Sequence, residues 1–280
     1  MNTIKICSKL KETTYFVNIF GHEGEPLNPE TDYSVGSAVA INDKGDLLTA
    51  AHVIDPRLSL RKPPWSKIKE DLIDPNTIIL AMNNHAKLPK LNQYRLFGGI
   101  TWLTTPSVKE PLLIDLAILR PLEPQSNIPY LKIRKNPTLL GTKVLIAGFP
   151  DDMELPFKLA YNYEPNFEIP EVNKIHDQRL RIAKKLLMIK SGMIGSQNHA
   201  TLTDGNLTLE GEVFYIDNEL HSGASGGPVV NTNLEVVGIL TERAITSMST
   251  DDTPRLKIPS GSSVAFSPRF IQHKLDKLND

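Results

Sequence analysis

The sequence predicts an all-β fold built from two barrels, and three observations carry that expectation. Short apolar runs rich in β-branched residues recur between turn-forming clusters. A proline-bearing stretch near the middle divides these runs into two sets, and the alternating strand–helix rhythm of an α/β protein is missing from the chain. At 280 residues there is enough chain for one large β domain or for two small barrels, each with its own core.

The first set runs from Tyr15 to Phe20, Val35 to Ile41, Leu47 to Ala51, Thr77 to Met82, Gly99 to Leu103 and Leu116 to Leu119. These lengths suit half-buried or buried strands. Asn42-Asp-Lys-Gly-Asp46 supplies a hairpin turn, because glycine accepts positive φ and Asn or Asp can bond the local backbone. A first barrel is therefore expected over residues 1–122. Pro121, Pro124, Pro129 and Pro137 fall in a stretch without periodicity, which predicts a linker over 123–137.

The second set runs from Lys143 to Ala147, Leu187 to Lys190, Thr208 to Ile216, Pro228 to Val230, Val236 to Thr241 and Ser263 to Phe266, giving a second barrel over 138–280. Residues 151–185 break the rhythm and are read as an insertion, with a helix from about Glu171 to Leu186. Ser267 as N-cap, Pro268 in the first turn and the spacing of Phe270, Ile271, Leu275 and Leu278 predict a terminal helix over about 268–278.

Composition excludes several classes of partner and site. Thirty-one basic against 32 acidic residues leave a net charge of −1, which gives no overall field toward nucleic acid or an anionic membrane. Cys7 is the single cysteine, so no internal disulfide can form, and a reducing, cytoplasmic location is expected. Lys9, Lys11 and Glu12 interrupt the amino-terminal apolar residues before they reach signal-peptide length, and no later run is long enough to span a bilayer. His22, His85, His176, His199, His221 and His273 show no metal-ligand spacing, so neither a metal nor a cofactor is expected. The basic run from Lys174 to Lys185 reads as a solvated helix face, with a docking surface for an acidic partner as the rarer use.

Three motifs bear chemistry. Leu47-Leu-Thr-Ala-Ala-His52-Val-Ile54 sets a histidine after a buried strand; Asp115-Leu-Ala-Ile-Leu119 sets a carboxylate at the mouth of another; and His221-Ser-Gly-Ala-Ser225-Gly-Gly-Pro-Val229 sets a serine in a glycine-rich turn. Acyl transfer by serine needs these parts: a base, a group holding that base in the correct tautomer, and donors aimed at the developing oxyanion. Each motif alone is a common pattern.

Together, and in the order His52, Asp115, Ser225, they resemble the trypsin-like serine peptidases, particularly the bacterial branch that includes the Deg-type proteases. The similarity spans most of the chain outside the insertion, which also accounts for a longer interval between aspartate and serine than is usual in that family. What the resemblance implies is a pair of six-stranded Greek-key barrels, with His52, Asp115 and Ser225 as catalytic residues and the Gly223 and Ser225 amides as the oxyanion hole. It further implies that Leu240 and Thr241 belong to a strand that pairs with a bound peptide. Aligned with the family, Glu219 falls at the floor of the specificity pocket and Glu242 on its wall, which would favour cutting after basic residues. Where animal trypsins carry an aspartate before the serine, this chain has Ala224, so activation by a newly cut amino terminus is not expected. Control would then come from a regulatory protein partner, from the insertion or from rearrangement of the loop before Ser225. No peptide-binding domain is expected after the second barrel.

The expected activity is thus a serine endopeptidase acting on protein or peptide substrates. One alternative is a catalytically silent binding or scaffold protein on the same fold. A second, an α/β-hydrolase using Gly223-Ala-Ser225-Gly-Gly227 as its nucleophile elbow with Asp251 or Asp252 and His273, leaves too little chain after the serine and lacks the upstream βα units.

Overall fold

The structure, a computed structural model, describes residues 2–20, 34–54, 78–83, 91–99, 101–103, 112–150, 186–204, 207–221, 223–248 and 256–278. The expected insertion at 151–185, with the helix expected in it, lies outside the described residues, as does the whole basic run from Lys174 to Lys185.

Helix α1 (Thr3–Thr13) opens the chain, capped by Asn2, whose side-chain oxygen accepts the Ile4 N–H. The sequence reading assigned no helix here. Its apolar residues are few, but Ile6 and Leu10 fall four apart on one face and are buried in the core of the first barrel.

The first barrel closes through six strands in the order β1 (Thr14–Phe20), β2 (Ser34–Ala40), β3 (Leu47–Thr49), β8 (Ala117–Pro121), β5 (Leu91–Gly98) and β4 (Ile78–Met82). One strand differs from expectation. The run at Gly99–Leu103 does not enter the barrel; its residues form β6 (Thr101–Leu103), which pairs with β7 (Leu112–Ile114) in a separate two-stranded sheet. The barrel uses β5 instead, whose Asn92, Gln93 and Arg95 give it too little apolar alternation to read as a strand from sequence. The hairpin turn at 42–46 forms as expected, with Gly45 at φ 83° and the Asn42 side chain accepting the N–H groups of Lys44 and Asp46. Asp46 is 1% exposed and takes two hydrogen bonds from Arg120, which fastens the β2–β3 turn to β8.

The second barrel runs β10 (Lys143–Gly148), β11 (Met188–Asp204), β12 (Leu207–Ile216), β15 (Leu256–Phe266), β14 (Glu235–Met248) and β13 (Pro228–Asn231), and the β13–β14 pairing returns the sheet on itself. A short β9 (Lys132–Ile133) joins β14 in parallel. Strands β11, β14 and β15 each extend well beyond the apolar runs that announced them, because their distal parts are polar hairpin arms. Chain closure follows expectation. Ser267 accepts the Arg269 N–H, Pro268–Ile271 forms a 3₁₀ turn that leads into α3 (Gln272–Leu275), α2 (Ala51–Ile54) being the turn that follows β3, and Phe270, Ile271, Leu275 and Leu278 are buried.

The barrels meet over Phe16 of β1 and Phe149 beyond β10, whose rings stack edge to face with centroids 5.7 Å apart. Among the described residues no helix is long and apolar enough to cross a membrane.

Candidate active site

Strand register positions the histidine and the aspartate. In the antiparallel β3–β8 pair, Thr49 lies opposite Ala117, so three residues onward on one strand and two residues back on the other meet beyond the pair. The first leads into α2, a single helical turn that carries His52. The second is a tight turn in which the Leu116 N–H donates to the Ile114 carbonyl at 2.8 Å, swinging the Asp115 side chain out of the strand line. Asp115 accepts twice from His52, from its backbone N–H at 2.9 Å and from ring Nδ1 at 2.7 Å.

That geometry fixes the ring. Opposite a carboxylate, Nδ1 is the proton-bearing nitrogen, which leaves the Nε2 lone pair free to accept a proton. The His52 side chain keeps 29% of its area exposed and the Asp115 side chain 12%, so the base is reachable while its partner is covered. Burial alone would lower the His52 pKa. The Asp115 charge, the hydrogen bond to it and the Glu242 charge outweigh that effect, and the pKa is raised above the ordinary histidine value. Glu242 is itself held above the usual carboxylate range by desolvation and by the Asp115 charge, with His52 opposing, although part of its side chain reaches solvent.

Ser225 arrives by the same kind of register. Pro228 lies opposite Ile239 in the β13–β14 pair, which brings residues just before β13 against residues just after Ile239. Gly226 N–H donates to the Leu240 carbonyl at 2.7 Å, Leu240 N–H donates to the Gly227 carbonyl at 2.9 Å, and Ser225 Oγ donates to the Thr241 carbonyl at 3.0 Å. Among the described residues, the N–H groups of Gly223 and Ser225 have no backbone acceptor. Gly223 holds φ 85°, a conformation suited to glycine, and its carbonyl accepts from Ser37 Oγ.

Ser37 ties the two halves together. Its N–H donates to the Ser225 carbonyl at 2.8 Å, its hydroxyl donates to the Gly223 carbonyl at 3.1 Å and accepts the Phe149 N–H at 2.9 Å, and its own carbonyl accepts from Thr49 Oγ1 at 2.6 Å. Gly226, at φ 83°, is pressed so closely on this junction that a Cβ there would lie 2.0 Å from the Ser37 carbonyl and 2.2 Å from Thr49 Oγ1. The serine turn therefore packs directly on the residues that lead into His52. Sequence reasoning missed Ser37, although a signal existed. A hydroxyl inside the apolar run Gly36-Ser-Ala-Val-Ala-Ile41 has to find partners when buried.

A cleft of about 210 Å³ opens beside Ser225. Leu220, Ala224 and Leu240 form apolar walls, and Thr241, Glu242 and Ser263 add polar groups. Of the four residues expected to contact substrate, Leu240, Thr241 and Glu242 line this cleft and Glu219 does not. The Glu219 carboxylate faces Arg243 at 3.7 Å, and its backbone carbonyl accepts from Lys190 Nζ. Arg243, which also lines the cleft, was not foreseen as its partner, since nothing in the sequence relates residue 219 to β14. Ala224 is 2% exposed and packs against Gly148. Among the described residues, no group of three or more His, Cys, Asp or Glu side chains is arranged to hold a metal ion.

Residues 36–239, which contain Ser37, His52, Asp115 and the serine turn but not Leu240 to Arg243 or Ser263, match the trypsin-like peptidase domain. The chain belongs to that family. Similar folds include the active form of the Rv3671c protease from M. tuberculosis, with a TM-score of 0.52, 14% identity, and coverage of 97% of this chain and 83% of that one. They also include the serine endoprotease from Yersinia pestis, with a TM-score of 0.52, 18% identity, and coverage of 99% of this chain and 66% of that one. An inactive serine-to-alanine mutant of Rv3671c aligns with a TM-score of 0.50 and 12% identity, over 98% of this chain and 92% of that one. No curated protein matches the sequence significantly. The trypsin-like peptidase domain thus takes the double-barrel fold of these bacterial proteases, in keeping with the resemblance carried by its three motifs.

Proposed function

We propose that this trypsin-like peptidase domain is a serine endopeptidase in which Ser225 is the nucleophile, His52 the general base and Asp115 the residue that orients the base and stabilises the imidazolium it becomes. The observation that carries the reading is the doubly bonded His52–Asp115 pair, which leaves Nε2 open, with the serine turn packed on the residues immediately before His52. In the reaction, Ser225 Oγ turns from the Thr241 carbonyl toward His52 and attacks the peptide carbonyl carbon while Nε2 takes its proton. The oxyanion settles on the N–H groups of Gly223 and Ser225. The C–N bond then breaks as His52 returns the proton to the leaving amine, and water hydrolyses the acyl-enzyme by the same route in reverse. Only side chains and backbone amides take part, and no metal or cofactor is required by these steps.

Glu242, rather than Glu219, is the carboxylate through which a basic substrate side chain would be read. It lines the cleft beside Ser225, while Glu219 does not and has its carboxylate 3.7 Å from Arg243. A second reading, a catalytically silent binding protein, draws on one observation: the Ser225 hydroxyl is bonded to a backbone carbonyl rather than to an imidazole. Peptide turnover separates the two. Hydrolysis by the wild type that disappears in a folded His52→Ala variant is the expected outcome, and turnover retained by that variant would place the base elsewhere.

A further inference from the structure

The turn before β13 sends its acceptors and its donors to different places. The carbonyls of Gly223 and Ser225 are both held by Ser37 of β2, one through the Ser37 hydroxyl at 3.1 Å and the other through its backbone N–H at 2.8 Å. The N–H groups of the same two residues have no backbone acceptor among the described residues. Between them, the Ala224 N–H donates to the His221 carbonyl at 3.2 Å. The peptide that joins Gly223 to Ala224 is thus clamped at both ends, its oxygen by Ser37 and its N–H by His221.

A clamp matters here because glycine leaves that peptide free to turn. Gly223 sits at φ 85°, and an unheld glycine reaches other backbone angles at little cost. Released, the peptide can rotate, carrying its oxygen away from Ser37 and redirecting the N–H groups on either side of it. A donor turned aside, or an acceptor turned in, weakens the stabilisation of an oxyanion. Ser37 is itself fixed. It is 0% exposed, and its oxygen accepts the Phe149 N–H at 2.9 Å, which leaves the hydroxyl hydrogen for the Gly223 carbonyl. Phe149 is buried too, its ring set edge to face on Phe16 of β1. Ala224 brings no polar side chain that could hold the turn from within. One hydroxyl therefore ties the turn to the packed contact between the two barrels.

We infer that Ser37 is a positioning residue for the oxyanion hole: by bridging the Phe149 N–H and the Gly223 carbonyl, its hydroxyl sets the Gly223–Ala224 peptide so that the Gly223 and Ser225 N–H groups point at the reacting carbonyl oxygen. This rests on the endopeptidase reading and adds to it a residue that acts without touching substrate. The test is Ser37→Ala, which keeps the backbone bond to the Ser225 carbonyl and removes the bridge. Peptide hydrolysis should lose about tenfold to a hundredfold in kcat, less than the roughly 10²–10³ that a whole oxyanion donor supplies, while KM stays within about twofold. A peptide aldehyde, whose adduct with Ser225 carries an oxyanion, should bind more weakly by the same factor as kcat falls. The acid limb of the pH profile should not move, because the His52–Asp115 pair is untouched. Thr49→Val serves as the comparison, since it removes a buried bond to the Ser37 carbonyl, 2.6 Å long, without reaching Gly223. It should lose stability in denaturant unfolding as Ser37→Ala does, yet keep kcat within about twofold. Ser37→Gly removes the bridge by a second route and carries the same expectation where the alanine variant does not fold. Unchanged kcat and aldehyde affinity in a folded protein without the hydroxyl, or an equal loss of kcat in Thr49→Val, would overturn the role of Ser37 and leave the endopeptidase reading standing. Failure of the wild type to cut any peptide, together with failure of a fluorophosphonate to label Ser225, would remove both.

Discussion

In the first barrel, the end of the β3–β8 pair delivers His52 and Asp115 into hydrogen bonds with each other; in the second, the end of the β13–β14 pair delivers Ser225 and Thr241, and the serine hydroxyl rests on a backbone carbonyl. Both barrels use one device, an antiparallel register that makes chain segments meet just beyond the last paired residues. The products differ. His52 and Asp115 form a finished unit inside a single barrel, whereas in the proposed reaction the Ser225 hydroxyl has to rotate from the Thr241 carbonyl before it can meet that unit. In that mechanism orientation of the base is built into one core, and alignment of the nucleophile depends on the junction between cores, where Ser37 and Gly226 sit.

The sharpest way to break this comparison is at the finished unit. Asp115→Asn keeps the shape but reverses the preferred tautomer of His52, and kcat should fall by about 10⁴-fold with little loss of stability. A smaller kinetic loss, with the His52 ring still held, would mean that the carboxylate does not set the tautomer. The junction is tested by Gly226→Ala, which puts a methyl group where the Ser37 carbonyl and Thr49 Oγ1 already are, at a positive φ. It should destabilise the protein by about 3 kcal/mol, read in denaturant unfolding. An unchanged midpoint would show that the serine turn is not pressed on the first barrel.

The smallest effect concerns Glu242, which reaches from the second barrel toward the unit in the first. A histidine base acts when neutral, so activity grows as pH rises through the His52 pKa, and that pKa is raised above its ordinary value. Glu242→Gln removes one of the charges that raise it. The acid limb of the kcat/KM profile should therefore move to lower pH, by less than about one unit. A limb that stays in place would show that the Glu242 charge does not reach the imidazole.

Motif order singled out three residues because the chemistry tolerates few residue types, and the structure brings two of them, His52 and Asp115, into contact. His52 and Asp115 were both named from local patterns, and the contact between them is a consequence of Thr49–Ala117 register that no local pattern contains. Glu219 illustrates the limit. Alignment gives its place on the chain, but its carboxylate lies 3.7 Å from Arg243, which arrives from a strand that no local pattern around residue 219 announces. The fold was read least well where polarity hides strands: β5 carries Asn92, Gln93 and Arg95, and the outer arms of β11, β14 and β15 are held by neighbouring strands rather than by buried alternation. Helix α1 escaped for the converse reason, since two core-facing residues, Ile6 and Leu10, suffice to dock it.

In the proposed mechanism His52 and Ser225, supplied by different barrels, act on one another. Reaction with a fluorophosphonate, followed by peptide mapping, tests this most directly, because the probe needs a serine activated by a base. A single adduct on Ser225 is expected in the wild type and none in His52→Ala. An adduct on a different serine, or labelling of Ser225 that survives loss of His52, would contradict it.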